Sequence, residues 1–285
     1  MLLLSTLMLS ACATHINEPE QTLDLPDTEY EVRRDVPFSP EDWPEVLYAD
    51  LYLPTATGHS PAVLMVHGGG WERRSRDDMT WVAEALASQG FAVMNIDYRF
   101  APDHTFPAQL HDLQVAMTWL REHAKALSVD TDAIGGLGFS SGAHLVSLMA
   151  VVASSGHELN EPHGGPETAL AAVVAGGLPA DLEAFDSGPL IRQFLGGTQK
   201  EKPETYQDAS PIAHVTPQTP PFFLFHGGVD NLVPLEQAKR FRARLADHEI
   251  PNQLYIMHLR GHITSFLTSG KAIDKGAVFL GQHLQ

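Results

Sequence analysis

The chain carries Gly138-Phe139-Ser140-Ser141-Gly142 between two apolar runs, Ala133-Ile134-Gly135-Gly136-Leu137 before it and Ala143 to Ala150 after it. The first run reads as a strand and the second as a buried helix. A serine at such a strand-to-helix turn cannot hide its hydroxyl, and it sits beside helix N-terminal amides that favour negative charge. Ser140 is therefore the candidate nucleophile. By itself the five-residue pattern also fits a plain Gly-Ser turn, because both residue types are common in turns.

A second element narrows that choice. The apolar run Val63-Leu64-Met65-Val66 leads into His67-Gly68-Gly69-Gly70-Trp71. Three successive glycines after a buried strand are entropically costly. They make sense where backbone must come close to a reacting group and present N–H donors to it. Acyl transfer needs such donors, because its tetrahedral intermediate places a full negative charge on oxygen, and each preorganised donor lowers the barrier by about 3 kcal/mol. The candidate donors are the amides of Gly69, Gly70 and Ser141.

An activated serine also needs a base, and the base needs an orienting acid. Two loops late in the chain follow strand-like runs. Phe222-Phe223-Leu224-Phe225 enters His226-Gly227-Gly228-Val229-Asp230, and Gln253 to Met257 enters His258-Leu259-Arg260-Gly261-His262. Asp230 is the candidate acid, although a carboxylate there could instead cap a helix starting near Pro234. His262 is the candidate base. His258 is its rival, but the preceding Gly261 places His262 in a loop while His258 belongs to the strand end.

These segments resemble the α/β-hydrolase superfamily, specifically its HGGG-bearing esterases, the hormone-sensitive-lipase-like and bacterial feruloyl-esterase-like groups. Asp97-Tyr98-Arg99-Phe100-Ala101-Pro102 is similar to the family's D-Y-R-x-A-P segment. Phe106-Pro107-Ala108 through Asp112 to Trp119-Leu120 is similar to its F-P-A…D…W-L helix, and Ala209-Ser210-Pro211-Ile212 to its A-S-P-I segment. The likeness covers roughly residues 45–282. It implies the chain order Ser, acid, His, with Ser140, Asp230 and His262 as triad and Gly69, Gly70 and Ser141 as oxyanion hole. Two departures stand out: Gly228 replaces the middle carboxylate of the family's H-G-D-x-D, and Ser141 replaces a common Ala.

The elements that would position these groups alternate strand and helix, which predicts a mostly parallel central sheet of about eight strands with helices on both faces. Strands are expected near residues 62–67, 92–97, 133–139, 171–175, 222–226 and 253–257, preceded by antiparallel edge strands near 30–36 and 46–53. Helices are expected near 79–89, 107–123, 142–153, 235–247 and 271–284. In the second of these, Leu110, Leu113, Met117 and Leu120 share one face, and Trp119 is read as packing. Residues 155–168 read as a solvent loop. Residues 178–220, rich in Pro and Gly around Leu190 to Leu195, read as a small lid or pocket wall.

With 285 residues and 44% hydrophobic content, one large α/β domain is sufficient. The net charge of −17 repels nucleic acid and anionic lipid headgroups, and no basic run suggests DNA or RNA binding. The histidines show no H-E-x-x-H or paired Cys/His spacing, so neither metal nor cofactor is expected. The only cysteine, Cys12, closes Leu9-Ser10-Ala11-Cys12, a bacterial lipobox pattern after an apolar start. Residues 1–12 then read as a lipoprotein signal segment, 13–28 as a tether and 29–285 as the hydrolase domain. The expected location is the cell envelope, with membrane contact only through an acyl anchor at Cys12 and a cytoplasmic location as the alternative. No Lys or Arg precedes the apolar run, unlike a usual signal segment.

The function these residues predict is hydrolysis of short- to medium-chain carboxylic esters, small or polysaccharide-linked, through an acyl-enzyme. The alternatives are an arylformamidase- or oligopeptidase-like amide hydrolase, and a non-catalytic binding protein on a hydrolase scaffold.

Overall fold

The computed structural model describes residues 13–20, 23–185 and 188–284. Among them, nine strands form one sheet in the order β1-β9-β8-β7-β6-β4-β5-β3-β2. These are β1 (Ala13–Ile16), β2 (Tyr30–Pro37), β3 (Tyr48–Pro54), β4 (Ser60–Val66), β5 (Ala92–Ile96), β6 (Val129–Phe139), β7 (Val173–Gly176), β8 (Phe222–Gly227) and β9 (Asn252–Met257). The strands from β5 through β4, β6, β7 and β8 to β9 run parallel. The outer pairings, β1 with β9, β2 with β3 and β3 with β5, are antiparallel.

The parallel strands are apolar on both faces because helices cover both. On one face α2 (Ala108–Leu127), α3 (Ser141–Ser155) and α6 (Leu235–Asp247) pack Leu110, Leu113, Leu145 and Phe241 against Leu64, Val66 and Leu224. On the other, α1 (Thr80–Ser88) and α8 (Gly270–His283) pack Val82, Leu86, Ile273 and Leu280 against Val63, Met65 and Val174. Three shorter helices, α4 (Pro189–Leu195), α5 (Pro203–Asp208) and α7 (His262–Leu267), lie in the connections. The candidate site residues follow β4, β6, β8 and β9, at the side of the sheet where the carboxyl ends of the parallel strands gather.

Two expectations need correction. The nine strands fit the expected sheet of about eight, but one of them comes from the stretch assigned to a tether. Ala13 pairs with Met257 and Ile16 with Leu254, so the open edge of β9 is satisfied by four residues too few to read as a strand. Residues 23–28 also run along the body: Thr28 N–H donates to Ser88 O at 2.8 Å, and Leu23 and Leu25 pack close to Gly281 of α8. Finally, β3 is not an edge. It lies between β2 and β5 and is buried from Ala49 to Leu53, which explains why its sequence alternates so loosely. The expected lipidation site, Cys12, lies outside the described residues.

Candidate active site

Ser140 sits between β6 and α3 with φ 55° and ψ −122°, a conformation that a side chain rarely tolerates. The surroundings enforce it. A Cβ on Gly142 would lie 2.1 Å from Val66 O, and one on Gly138 would lie 2.5 Å from Gly142 backbone. Only glycines let β6, α3 and the end of β4 cross this closely, which is the physical content of the G-x-S-x-G spacing. The turn is further held by Ser140 N–H donating to Gly176 O at 2.8 Å.

His262 opens α7 and brings its Nε2 to 2.8 Å from Ser140 Oγ. Its Nδ1 lies 2.6 Å from Asp230 Oδ2. Asp230 is buried, and its other oxygen accepts from the Leu232 and Val233 amides, each at 2.9 Å. The carboxylate therefore serves the turn and the histidine at once, and it does not cap α6, whose start at Pro234 has no side-chain cap. Burial opposes its charge. The His262 hydrogen bond and charge, together with the Val233 amide, outweigh burial and hold its pKa below the usual carboxylate value.

An ionised Asp230 can only accept, so the proton of a neutral His262 resides on Nδ1 and the lone pair of Nε2 faces the serine. The rival, His258, is placed elsewhere. Its Nε2 lies 2.8 Å from Thr14 Oγ1 beside the sheet edge.

The glycine segment after β4 borders the same cleft. Gly69 has φ 133° and Gly70 φ 65°, left-handed and mirror-β conformations open to glycine. Among the hydrogen bonds of the described residues, neither Gly69 N–H nor Gly70 N–H donates within the chain, leaving both available. Ser141, the first residue of α3, places its amide directly after the nucleophile. Together these backbones line a cavity of about 530 Å³ with Ser140 and His262, walled by Trp71, Trp81, Phe139, Phe185, Leu190 and Phe266. The region from residue 178 onward, expected as lid or wall, contributes Pro179, Phe185 and the start of α4 to that lining.

Several supporting residues had no role in the sequence reading. Tyr98 lies within the D-Y-R segment, and its buried hydroxyl is 3.2 Å from both His67 O and Ser141 Oγ. Burial raises its pKa far above the usual phenol value, so it stays a neutral donor. Tyr98 also stacks on His67, ring centroids 4.5 Å apart. Arg99 and Asp112 form a buried ion pair to which Trp43 Nε1 also donates. Trp71 stacks on Phe194 of α4 at 4.4 Å and donates to His144 Nδ1. His144 Nε2–H in turn donates to Ala209 O at 2.6 Å, and burial pushes its pKa down to about 4. The sequence segments that contain them are D-Y-R with Tyr98 and Arg99, F-P-A…D with Asp112, A-S-P-I with Ala209, and the glycine segment that ends in Trp71.

Among the described residues, no group of three or more His, Cys, Asp or Glu side chains converges as a metal site.

Comparison with known proteins identifies the family and the fold. The sequence matches the BD-FAE family over residues 49–245. It is 35% identical over 199 residues to esterase LipC of Mycobacterium tuberculosis, covering 66% of this chain and 49% of LipC. It is 31% identical over 198 residues to the probable carboxylic ester hydrolase LipM of the same organism, covering 65% of this chain and 44% of LipM. The chain thus spans about half the length of these curated relatives. Among solved structures, the truncated form of a carbohydrate esterase from gut microbiota superposes with a TM-score of 0.80 at 23% identity, covering 91% of this chain and 99% of that one. A family match to more than half of the chain, on a mostly parallel sheet covered by helices on both faces, identifies the lineage: the chain belongs to the BD-FAE family of α/β-hydrolases.

Proposed function

We propose that the protein is a serine carboxylesterase acting on short- to medium-chain carboxylic esters. The observation that carries this reading is the continuous line from Ser140 Oγ through His262 to Asp230, with contacts of 2.8 and 2.6 Å.

In the first step His262 Nε2 takes the proton of Ser140 as Oγ attacks the ester carbonyl, and the carbonyl π electrons move onto oxygen. The Gly69, Gly70 and Ser141 amides hold that oxyanion. Asp230 fixes the ring orientation and balances the imidazolium charge without taking the proton. The intermediate collapses, the alcohol leaves with the proton from His262 Nε2, and Ser140 remains acylated. Water then enters, gives its proton to His262, attacks the acyl carbonyl and releases the carboxylic acid while the proton returns to Ser140.

The mostly apolar lining and moderate volume of the cavity support the reading of short- to medium-chain acyl groups. The carbohydrate esterase among the structural neighbours adds sugar-linked esters to the substrates worth testing. Turnover of p-nitrophenyl esters from acetate to palmitate, with acetyl-xylan and methyl ferulate alongside, tests the reading. Activity peaking at short or medium chains and absent in Ser140→Ala is expected. Undiminished turnover by Ser140→Ala would overturn it.

A further inference from the structure

Scattered apolar side chains on a surface are ordinary, but a contiguous set around one opening is not. Around the catalytic cavity the exposures are 82% for Leu259, 70% for Leu267, 55% for Leu232, 53% for Ile263 and 37% for Trp81. Ile263 and Leu267 are one turn apart on α7 and present one face, and with Leu232 and Trp81 they line the cavity. Leu259, two residues past the end of β9 and three before His262, has φ 60°. A left-handed backbone under a leucine is uncommon and costs energy, and here the side chain gains no burial within the chain in return.

The start of the described chain lies on the same side. Ala13 is in register with Met257, two residues before Leu259. Ala13 also borders a shallow depression with Arg260, Thr268 and Lys271, at the far end of the α7 loop. The sequence before Cys12, Met1 to Ala11, is apolar apart from two serines and a threonine. β1 is locked to β9, so Ala13 is held at the carboxyl end of β9, from which the chain runs on into α7.

We propose that the rim formed by Leu259, Ile263, Leu267, Leu232 and Trp81 is a docking face for a lipid surface, and that the chain's amino-terminal entry beside Met257 holds the catalytic mouth toward that surface. Ester substrates partitioned in the lipid would then reach the cavity from the bilayer side. Arg260 and Lys271, both exposed, flank this face together with Arg73, Arg74 and Asp78 of the cavity lining and Glu18 of the depression, so charges of both signs border it in a chain of net charge −17. That overall charge directs the commitment to a zwitterionic lipid surface.

The test uses the full chain carrying Cys12→Ser, so that no acyl group contributes, in co-sedimentation with phosphatidylcholine vesicles. Binding is independent of catalysis, so failure here is distinct from failure of the esterase reading. The parent should partition onto vesicles, and the double variant Leu259→Asp with Leu267→Asp should partition roughly tenfold less, as removal of buried apolar area predicts. Near-UV circular dichroism equal to the parent's establishes that the variant is folded. If it is not, Leu259→Asp alone, at a position whose side chain is in solvent, supplies the same readout. A parent that stays in the supernatant at millimolar lipid overturns the proposal. So does equal partitioning of parent and rim variants, which would assign the binding to residues 1–11. A dimer in sedimentation velocity that the same substitutions dissociate, without vesicle binding, also overturns it and assigns the rim to a second copy.

Discussion

The hydroxyl of Tyr98 bridges Ser141 Oγ and His67 O, at 3.2 Å from each. One buried side chain from the loop after β5 thereby ties the nucleophile turn to the strand end that carries the glycine segment. The two segments that carry the proposed oxyanion donors are held at a fixed separation by a residue that the proposed mechanism does not place on a reacting atom. Tyr98→Phe removes about 1 kcal/mol of net hydrogen bonding. Expected is a kcat lower by about three- to tenfold with KM nearly unchanged, because the donors matter most when charge has developed. Steady-state kinetics on p-nitrophenyl butyrate reads the split, and a purely structural role for Tyr98 would lower the melting temperature without changing kcat.

Asp230 offers a separation of two effects. Asp230→Asn keeps an acceptor oxygen for the Leu232 and Val233 amides but can no longer hold a proton on His262 Nδ1 by accepting alone. A loss of kcat of about ten-thousand-fold with near-parental stability is expected. Asp230→Ala instead orphans both amides and should cost a further 1–3 kcal/mol or so in urea unfolding.

Glycine at 142 is a steric requirement. Gly142→Ala drives a methyl group into Val66 O and His67 O, both backbone atoms. Overpacking of this kind costs about 1–3 kcal/mol, and the shift that relieves it moves Ser140 and the glycine segment apart. We expect a lowered melting temperature together with a hundredfold or larger loss of activity, on the order seen for sub-ångström misplacement of catalytic groups.

Acid should destabilise the fold through His144. Burial holds its pKa at about 4 in the folded chain, against the ordinary imidazole value of 6.5. Below 6.5 the unfolded chain binds the proton and the folded chain does not, so stability falls as the pH drops from 6.5 to 4 and levels off below. The contribution lost by pH 4.5 is on the order of 2–3 kcal/mol. Urea unfolding at pH 7 and 4.5 measures it, and His144→Gln, which keeps a donor and an acceptor but takes up no proton, should show a smaller pH difference. His111, also depressed to about 4 by burial, adds to the slope in both proteins.

Most of the site was legible because its parts are local. The nucleophile turn, the glycine segment and the acid loop each declare themselves within a few residues, since Gly138 and Gly142 answer a contact made next to Ser140 itself. The choice of His262 over His258 was less secure from sequence, four residues apart on one loop, and is decided by which ring reaches Ser140. What escaped depends on distant pairing. Ala13–Ile16 reads as part of a polar lead-in until its partner strand is known, and Thr14 meets His258 across 244 positions of chain. β3 reads as an edge because Tyr48, Asp50 and Tyr52 are polar-tipped, although neighbours on both sides bury the strand. The supports from Tyr98, Trp71 and His144 arise where three segments meet, and no spacing along the chain encodes such a meeting.

The central claim is that His262 activates Ser140, and active-site labelling tests it directly. A fluorophosphonate probe followed by peptide mass spectrometry should place one adduct on Ser140, and His262→Ala should slow the labelling by at least a hundredfold. An adduct on a different residue, or equal labelling rates with and without the imidazole, would contradict the account.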